Sequence, residues 1–188
     1  MYKLFGKRLV DITLSLLALL LLFPLLILVS ICIKLYDPGP IIFRQIRIGR
    51  DGVKFYFYKF RSMPVNTGDI PSDRLGDVEL TWIGRFIRRT NIDELPQLYN
   101  IIIGDMSIVG PRPPICAQKD LIEFRRLNGA LNCRPGLTGL AQVNSFNGMS
   151  VGQKAKLDGA YAKSITLIGD MKIILYTFVY LVSPPPVY

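Results

Sequence analysis

Between Asp11 and Lys34 the chain carries no charged residue, and nothing else in the sequence constrains its fold as much. The 22 positions from Ile12 to Ile33 would make a helix about 33 Å long, enough to cross the hydrocarbon core of a bilayer. Pro24 stands near the middle of this run. It offers no N–H to the Leu20 carbonyl, and its ring crowds that carbonyl, so a kink or break is expected there. Basic residues flank both ends, Lys3, Lys7 and Arg8 before the run and Lys34, Arg44, Arg47 and Arg50 after it. The positive-inside rule therefore assigns no orientation. A proline-kinked transmembrane helix fits this pattern, and so does a re-entrant hairpin with both ends on one face. The length of the run and the lack of a small-residue cleavage site argue against a signal peptide.

The remaining composition suits a protein that works against a membrane face. Of 188 residues half are hydrophobic, enough for one domain core and a lipid contact. Lys and Arg outnumber Asp and Glu by 23 to 14, a net charge of +9. Such a surface suits anionic lipid, phosphate-bearing substrates or nucleic acid. No nucleic-acid-binding motif is present, and an apolar anchor would hold the basic surface on head groups, so membrane phospholipid is expected as a partner and nucleic acid is not. Cys32, Cys116 and Cys133 lie far apart, without zinc spacing or a CxxC pair, and read as buried free thiols.

After the anchor, Asp37-Pro-Gly-Pro40 reads as a turn and two strand-like runs come next, Ile41 to Ile48 and Val53 to Phe60, joined by Gly49-Arg-Asp-Gly52. Val53, Phe55 and Phe57 alternate with Lys54, Tyr56 and Tyr58, the period of a half-buried strand. The polar, Pro- and Gly-rich stretch from Pro64 to Glu79 is expected to be an exposed loop over the site rim. Trp82 to Arg89 forms a basic amphipathic turn with Trp82, Ile83, Phe86 and Ile87 on one face, suited either to the lipid interface or to core packing. A helix is expected from Glu94 to about Ile103, ended by Gly104, with Asp105 and Ser107 as caps for the next element. Ile115 to Leu131 has a helical pattern read as structural, and Met171 to Val182, too short to cross a bilayer, reads as a buried or interfacial helix capped by Asp170. The final Ser-Pro-Pro-Pro-Val-Tyr is an extended tail.

The chemistry concentrates between Arg88 and Pro113. Asp93 and Glu94 precede Leu95-Pro96, and proline fits a first helical turn, so Asp93 reads as a helix cap. At such a terminus free amides and the macrodipole would keep the carboxylate ionised and seat a phosphoryl group. An ionised carboxylate attacks without a base, and this chain has no histidine. Arg112, set between Pro111 and Pro113, is positioned for bidentate contact with phosphate oxygens.

Together with Arg134-Pro-Gly-Leu-Thr-Gly-Leu-Ala-Gln-Val-Asn144, these segments resemble the bacterial sugar transferase family, and within it the small monotopic phosphoglycosyl transferases that start glycoconjugate assembly at the membrane. The resemblance covers the chain from about Lys7 to its last helix. It implies transfer of a sugar phosphate from a UDP-sugar to polyprenyl phosphate with release of UMP and a requirement for magnesium. It also implies that the N-terminal segment is the re-entrant hairpin. Asp93 would be the nucleophile, with Glu94 beside it holding Mg2+. Lys59, within Lys59-Phe-Arg-Ser-Met63, matches a family active-site lysine, and Arg88 a family active-site arginine. Arg112 and the Pro111 backbone would seat phosphate, and Gln142 and Asp158 match positions near the site.

Two departures stand out: Phe23 precedes Pro24 where relatives often carry serine, and Ser145-Phe146-Asn147 stands where relatives commonly read Gly-Arg-Asn. The second bears on donor binding or sugar choice more than on the phosphoryl step. The expected fold is α+β and mainly helical: a monotopic membrane protein with an N-terminal re-entrant helix-break-helix, interfacial amphipathic helices and a small β-hairpin. It forms one domain, residues 1–188, of which 1–36 enter the membrane and 37–188 form a cytosolic catalytic part. The expected location is the cytoplasmic face of the bacterial inner membrane, with downstream glycosyltransferases as further partners. A non-catalytic membrane adaptor on the same fold is the rival reading.

Overall fold

The computed structural model describes residues 2–65, 67, 81–144 and 148–182. Most of the expected rim loop, the Ser145–Asn147 departure and the proline tail lie outside these residues. After a π-helical turn, Tyr2–Gly6, helix α1 runs from Lys7 to Tyr36. The expected helix-break-helix is therefore one uninterrupted helix with Pro24 inside it. A proline removes only its own hydrogen bond to the carbonyl four residues back, and the bonds on either side can carry the helix past it.

Helix α1 keeps one face on the rest of the protein along its whole length. Asp11, Ser15, Val29 and Ile33 are buried, and Ala18, Leu19, Leu25 and Leu26 pack between them, positions that share one face of a helix. The other face leaves Leu17, Leu20, Leu21, Phe23, Leu28 and Ile31 exposed. Both ends are tied down by polar contacts. Near the N-terminus, Arg8 donates to the carbonyls of Ile101 (2.5 Å) and Ile102 (2.7 Å), and Asp11 accepts from Ser107 Oγ (2.7 Å) and the Ile108 amide (3.0 Å). Beyond the C-terminus, Arg61 donates to the Asp37 carbonyl.

Strands β1 (Ile42–Ile48) and β2 (Lys54–Phe60) form the expected antiparallel hairpin, with Ile42 opposite Phe60 and Ile48 opposite Lys54. Phe55 and Phe57 face the core, while Val53 falls outside the strand and is exposed. Helix α2 (Trp82–Arg89) is capped by the Thr81 hydroxyl. Its apolar residues split: Ile83 and Ile87 join Val29, Ile33 and Phe60 in one core cluster, whereas Trp82 stacks on Phe86 and meets Tyr36 at the surface.

Helix α3 (Gln97–Ile103) ends at Gly104, whose φ of 103° suits a residue without a side chain. Its Leu98 and Ile101 pack with Phe55, Phe57 and Met106. Asp105 and Ser107 cap no helix, because the chain continues into β3 (Ser107–Val109). Helix α4 (Lys119–Asn128) precedes β4 (Gly136–Thr138), which pairs parallel with β3. Short α5 (Leu140–Val143), α6 (Val151–Lys163) and α7 (Leu167–Val182) complete the fold, with Val109, Val143, Tyr161 and Ile173 as a third core cluster. Thr166, not Asp170, caps α7, through the Gly169 amide. Asp170 instead accepts from Tyr2 OH (2.7 Å), Lys7 Nζ (2.7 Å) and Tyr161 OH (2.9 Å), tying both ends of the chain together. All three cysteines are free, but none is fully buried: Cys32 and Cys133 are half-buried and Cys116 is exposed.

Candidate active site

Asp93 and Glu94 share a 3-10 turn, Ile92–Glu94, entered through Asn91 in the left-handed region. Pro96, not Asp93, directly precedes α3, and no side chain caps that helix. Asp93 is thus not the cap expected. It lies buried, 5% exposed, in the turn that joins α2 to α3. The consequence for its charge is opposite to the expectation. Burial raises its pKa above the ordinary aspartate value, and the adjoining Glu94 pushes the same way, while Lys59, Arg88 and Arg112 pull it down without reversing the shift.

Glu94 behaves differently although it is the next residue. Burial would raise its pKa too, but Arg112 and Lys59 both bond its carboxylate and hold it well below the usual range. Lys59 Nζ lies 2.7 Å from Glu94 Oε1 and 3.5 Å from Asp93 Oδ2. Arg112 places NH2 at 2.7 Å from Oε1 and NH1 at 3.4 Å from Oε2. Two adjacent carboxylates therefore differ in kind, one a firmly ionised anchor for two cations and the other a buried acid with a raised pKa.

The backbone explains how these groups meet. Lys59 continues the inward face of β2 that carries Phe55 and Phe57, and its ammonium lies 5.6 Å from the Phe57 ring. Strand β2 is held to α3 by Asn100, which is fully buried. Its amide donates to the Tyr56 carbonyl (2.7 Å), and its Oδ1 accepts from the Tyr58 amide (3.2 Å). The side chain thus acts as a third strand for two residues of β2.

The Arg112 loop is held just as firmly. Glycines 110, 136 and 139 lie so close that a Cβ on any of them would fall within 2.4 Å of another backbone atom. Every carbonyl from Pro111 to Pro114 accepts a hydrogen bond, from the Gly136 amide, Arg125 NH1, Arg47 NH1 and the Ile48 amide in turn. Pro111 therefore contributes no phosphate donor: it has no N–H, and its carbonyl already braces β4.

Arg88, in the last turn of α2, adds positive potential at Asp93, and its guanidinium forms no hydrogen bond or ion pair among the described residues. Two expected site residues lie elsewhere. Asp158 is 1% exposed and its carboxylate bonds Arg125. A carboxylate inside a helical core is stable only beside such a cation, and here that cation comes from α4. Gln142 donates to the Leu137 carbonyl, and no hydrogen bond joins it to the acid pair among the described residues. Conversely, the sequence alone did not single out Asn100 or Arg125. Arg125 had a visible signal: it stands four residues after Leu121 on the buried stripe of α4, where an arginine needs partners.

Known proteins match this sequence along most of its length. The profile of the family described as Bacterial sugar transferase matches residues 2–184. The UDP-glucose:undecaprenyl-phosphate glucose-1-phosphate transferase of Escherichia coli (strain K12) is 39% identical over 182 residues, which are 91% of this chain and 39% of that protein. A protein of the same name from Caulobacter vibrioides is 40% identical over 180 residues, 91% of this chain and 67% of its own. The undecaprenyl-phosphate galactose phosphotransferase of Salmonella typhimurium is 36% identical over 190 residues, 92% of this chain and 40% of its own. The chain thus spans about two fifths of the Escherichia coli and Salmonella relatives. With the profile matched nearly from end to end, this chain belongs to the bacterial sugar transferase family.

Proposed function

We propose that this protein transfers a sugar 1-phosphate from a UDP-sugar to polyprenyl phosphate, undecaprenyl phosphate in the relatives' names, and releases UMP. The observation that carries the reading is the buried Asp93 beside three cations, Lys59, Arg88 and Arg112, on a body that also carries a long apolar helix. An Asp93 oxygen attacks the β-phosphorus of the donor, a P–O bond forms, and the bond from that phosphorus to the bridging oxygen breaks. UMP departs with the electron pair. An oxygen of polyprenyl phosphate then attacks the phosphosugar-aspartyl ester, freeing the Asp93 carboxylate and leaving a polyprenyl diphosphate sugar. Arg88 and Arg112 oppose the charge on the phosphoryl oxygens throughout.

The donor set fits one hard divalent cation. Magnesium favours one or two carboxylates completed by substrate phosphate oxygens, and Glu94 is held ionised, its Oε2 taking the longer Arg112 contact. A magnesium ion bound there with the diphosphate would neutralise the leaving UMP. Lys59 keeps Glu94 in register with Asp93.

The site sits at a membrane surface, on the cytoplasmic face where UDP-sugars are made. Helix α1 supports a monotopic arrangement: its Arg8–Asp11 end and its Asp37 end both bond to the same polar body. A helix crossing the bilayer would separate those ends by about 30 Å of hydrocarbon. The exposed leucines of α1 and the Trp82–Phe86 stack supply the lipid contact.

The test is UMP release across a panel of UDP-sugars with magnesium and polyprenyl phosphate, followed by mass spectrometry for an adduct on residue 93. Asp93→Asn abolishes both release and adduct. Full activity in that variant would remove Asp93 as the nucleophile.

A further inference from the structure

The most deeply buried ion pair among the described residues lies outside the acid pair. Arg125 on α4 and Asp158 on α6 are 2% and 1% exposed. Arg125 donates from Nε (2.8 Å) and NH2 (2.6 Å) to Asp158 Oδ2, and from NH1 to the Arg112 carbonyl (2.7 Å). We propose that Asp158 and Arg125 are positioning residues, a buried strut that fixes the Arg112 backbone and so keeps the Arg112 guanidinium on the reacting phosphates. This rests on the phosphoryl-transfer reading above.

Stability alone does not account for the pair. Apolar residues of similar volume often replace a buried ion pair without loss. Helices α4 and α6 also have a second link, from Asn128 Nδ2 to the Ala155 carbonyl (2.7 Å). An apolar pair cannot donate to a carbonyl. Between Pro111 and Pro114 three residues are proline, so Arg112 owns the segment's only amide N–H and the loop is held by donors reaching into it. Of these, Arg125 alone bonds the residue whose side chain meets Glu94. Only a guanidinium can make this set of bonds, because its planar fork meets Asp158 with two nitrogens while the third reaches the carbonyl, a geometry one ammonium cannot reproduce.

The experiment uses the full chain in detergent and compares Arg125→Lys, the paired Arg125→Met/Asp158→Leu, and each of these combined with Arg112→Ala. Thermal unfolding reports the fold, and UMP release gives kcat and KM for the donor. We expect kcat to fall roughly tenfold to a hundredfold in both Arg125 variants, the scale of a misplaced catalytic group, with unfolding of the paired variant near wild type. In the Arg112→Ala background the same changes cost no further activity, because the strut acts through Arg112. Turnover at the wild-type rate in Arg125→Lys or in a folded paired variant would overturn the proposal. So would equal losses in the two backgrounds. If the paired variant does not fold, Arg125→Lys and its Arg112→Ala combination decide alone. A wild-type chain that releases UMP from no UDP-sugar would refute the transfer reading itself, a result distinct from all of these.

Discussion

Replacing Asn100 by leucine probes whether the site is held by backbone contacts far from the chemistry. Leucine has a similar size but neither of the two groups that serve β2. The Tyr56 carbonyl and the Tyr58 amide, now bonded at 2.7 and 3.2 Å, would lose their partners beneath a fully buried side chain. Each orphaned backbone group costs about 1–3 kcal/mol. Extra apolar burial by leucine returns roughly 1 kcal/mol. The net destabilisation is thus about 1–5 kcal/mol, which for a chain of this length lowers Tm by roughly 2–20 °C. Lys59 lies one residue beyond Tyr58, so a loosened strand end also shifts the cation that bridges Glu94 and Asp93. UMP release should fall in parallel when assayed at low temperature, where the variant is still folded. A variant that melts with wild type and releases UMP at an unchanged rate would refute the idea that this side chain stands in for a strand.

Charge and topology supply two further tests. Because Asp93 must be ionised to attack, and burial raises its pKa above 3.8, kcat/KM should fall with acid along a limb lying above that value. Glu94→Gln removes a charge that pushes Asp93 upward and frees Lys59, so the limb should move to lower pH even as the maximum rate drops; a shift the other way would contradict the assigned electrostatics. The stability signs are opposite for the two acids. Asp93 contributes stability below its unfolded pKa that is lost as pH rises through the folded one, whereas the Glu94 contribution is present above 4.5 and lost only at strongly acid pH. For topology, cysteines placed at Leu9 and Leu35, both exposed on α1, with Cys32, Cys116 and Cys133 replaced, should react with an impermeant maleimide from the same side of sealed membrane vesicles. Labelling from opposite sides would mean that α1 crosses the bilayer.

Much of this protein was legible residue by residue, because the relevant physics is local. An uncharged run of apolar residues dictates a long lipid-compatible helix whatever surrounds it. Alternation at Phe55 and Phe57, with glycines at the turn, dictates the hairpin. Gly104 dictates where α3 stops. The acid pair and the proline-bound arginine stand out through the family resemblance of their segments, since either alone has commoner structural roles as a cap or a turn. Tertiary structure decided what depends on partners distant in the chain. It carried α1 unbroken through Pro24 and bonded both its ends to one body. It gave Asp93 a raised pKa in place of a helix-cap environment, since burial and charge come from segments up to thirty-four residues away, Lys59 among them. It paired Asp158, a candidate substrate-binding residue, with Arg125, and made Asn100 a surrogate strand. Side-chain charge and hydrogen-bonding capacity are written in the residue type, but whether they face a substrate, a helix or a buried carbonyl is set only when the chain packs.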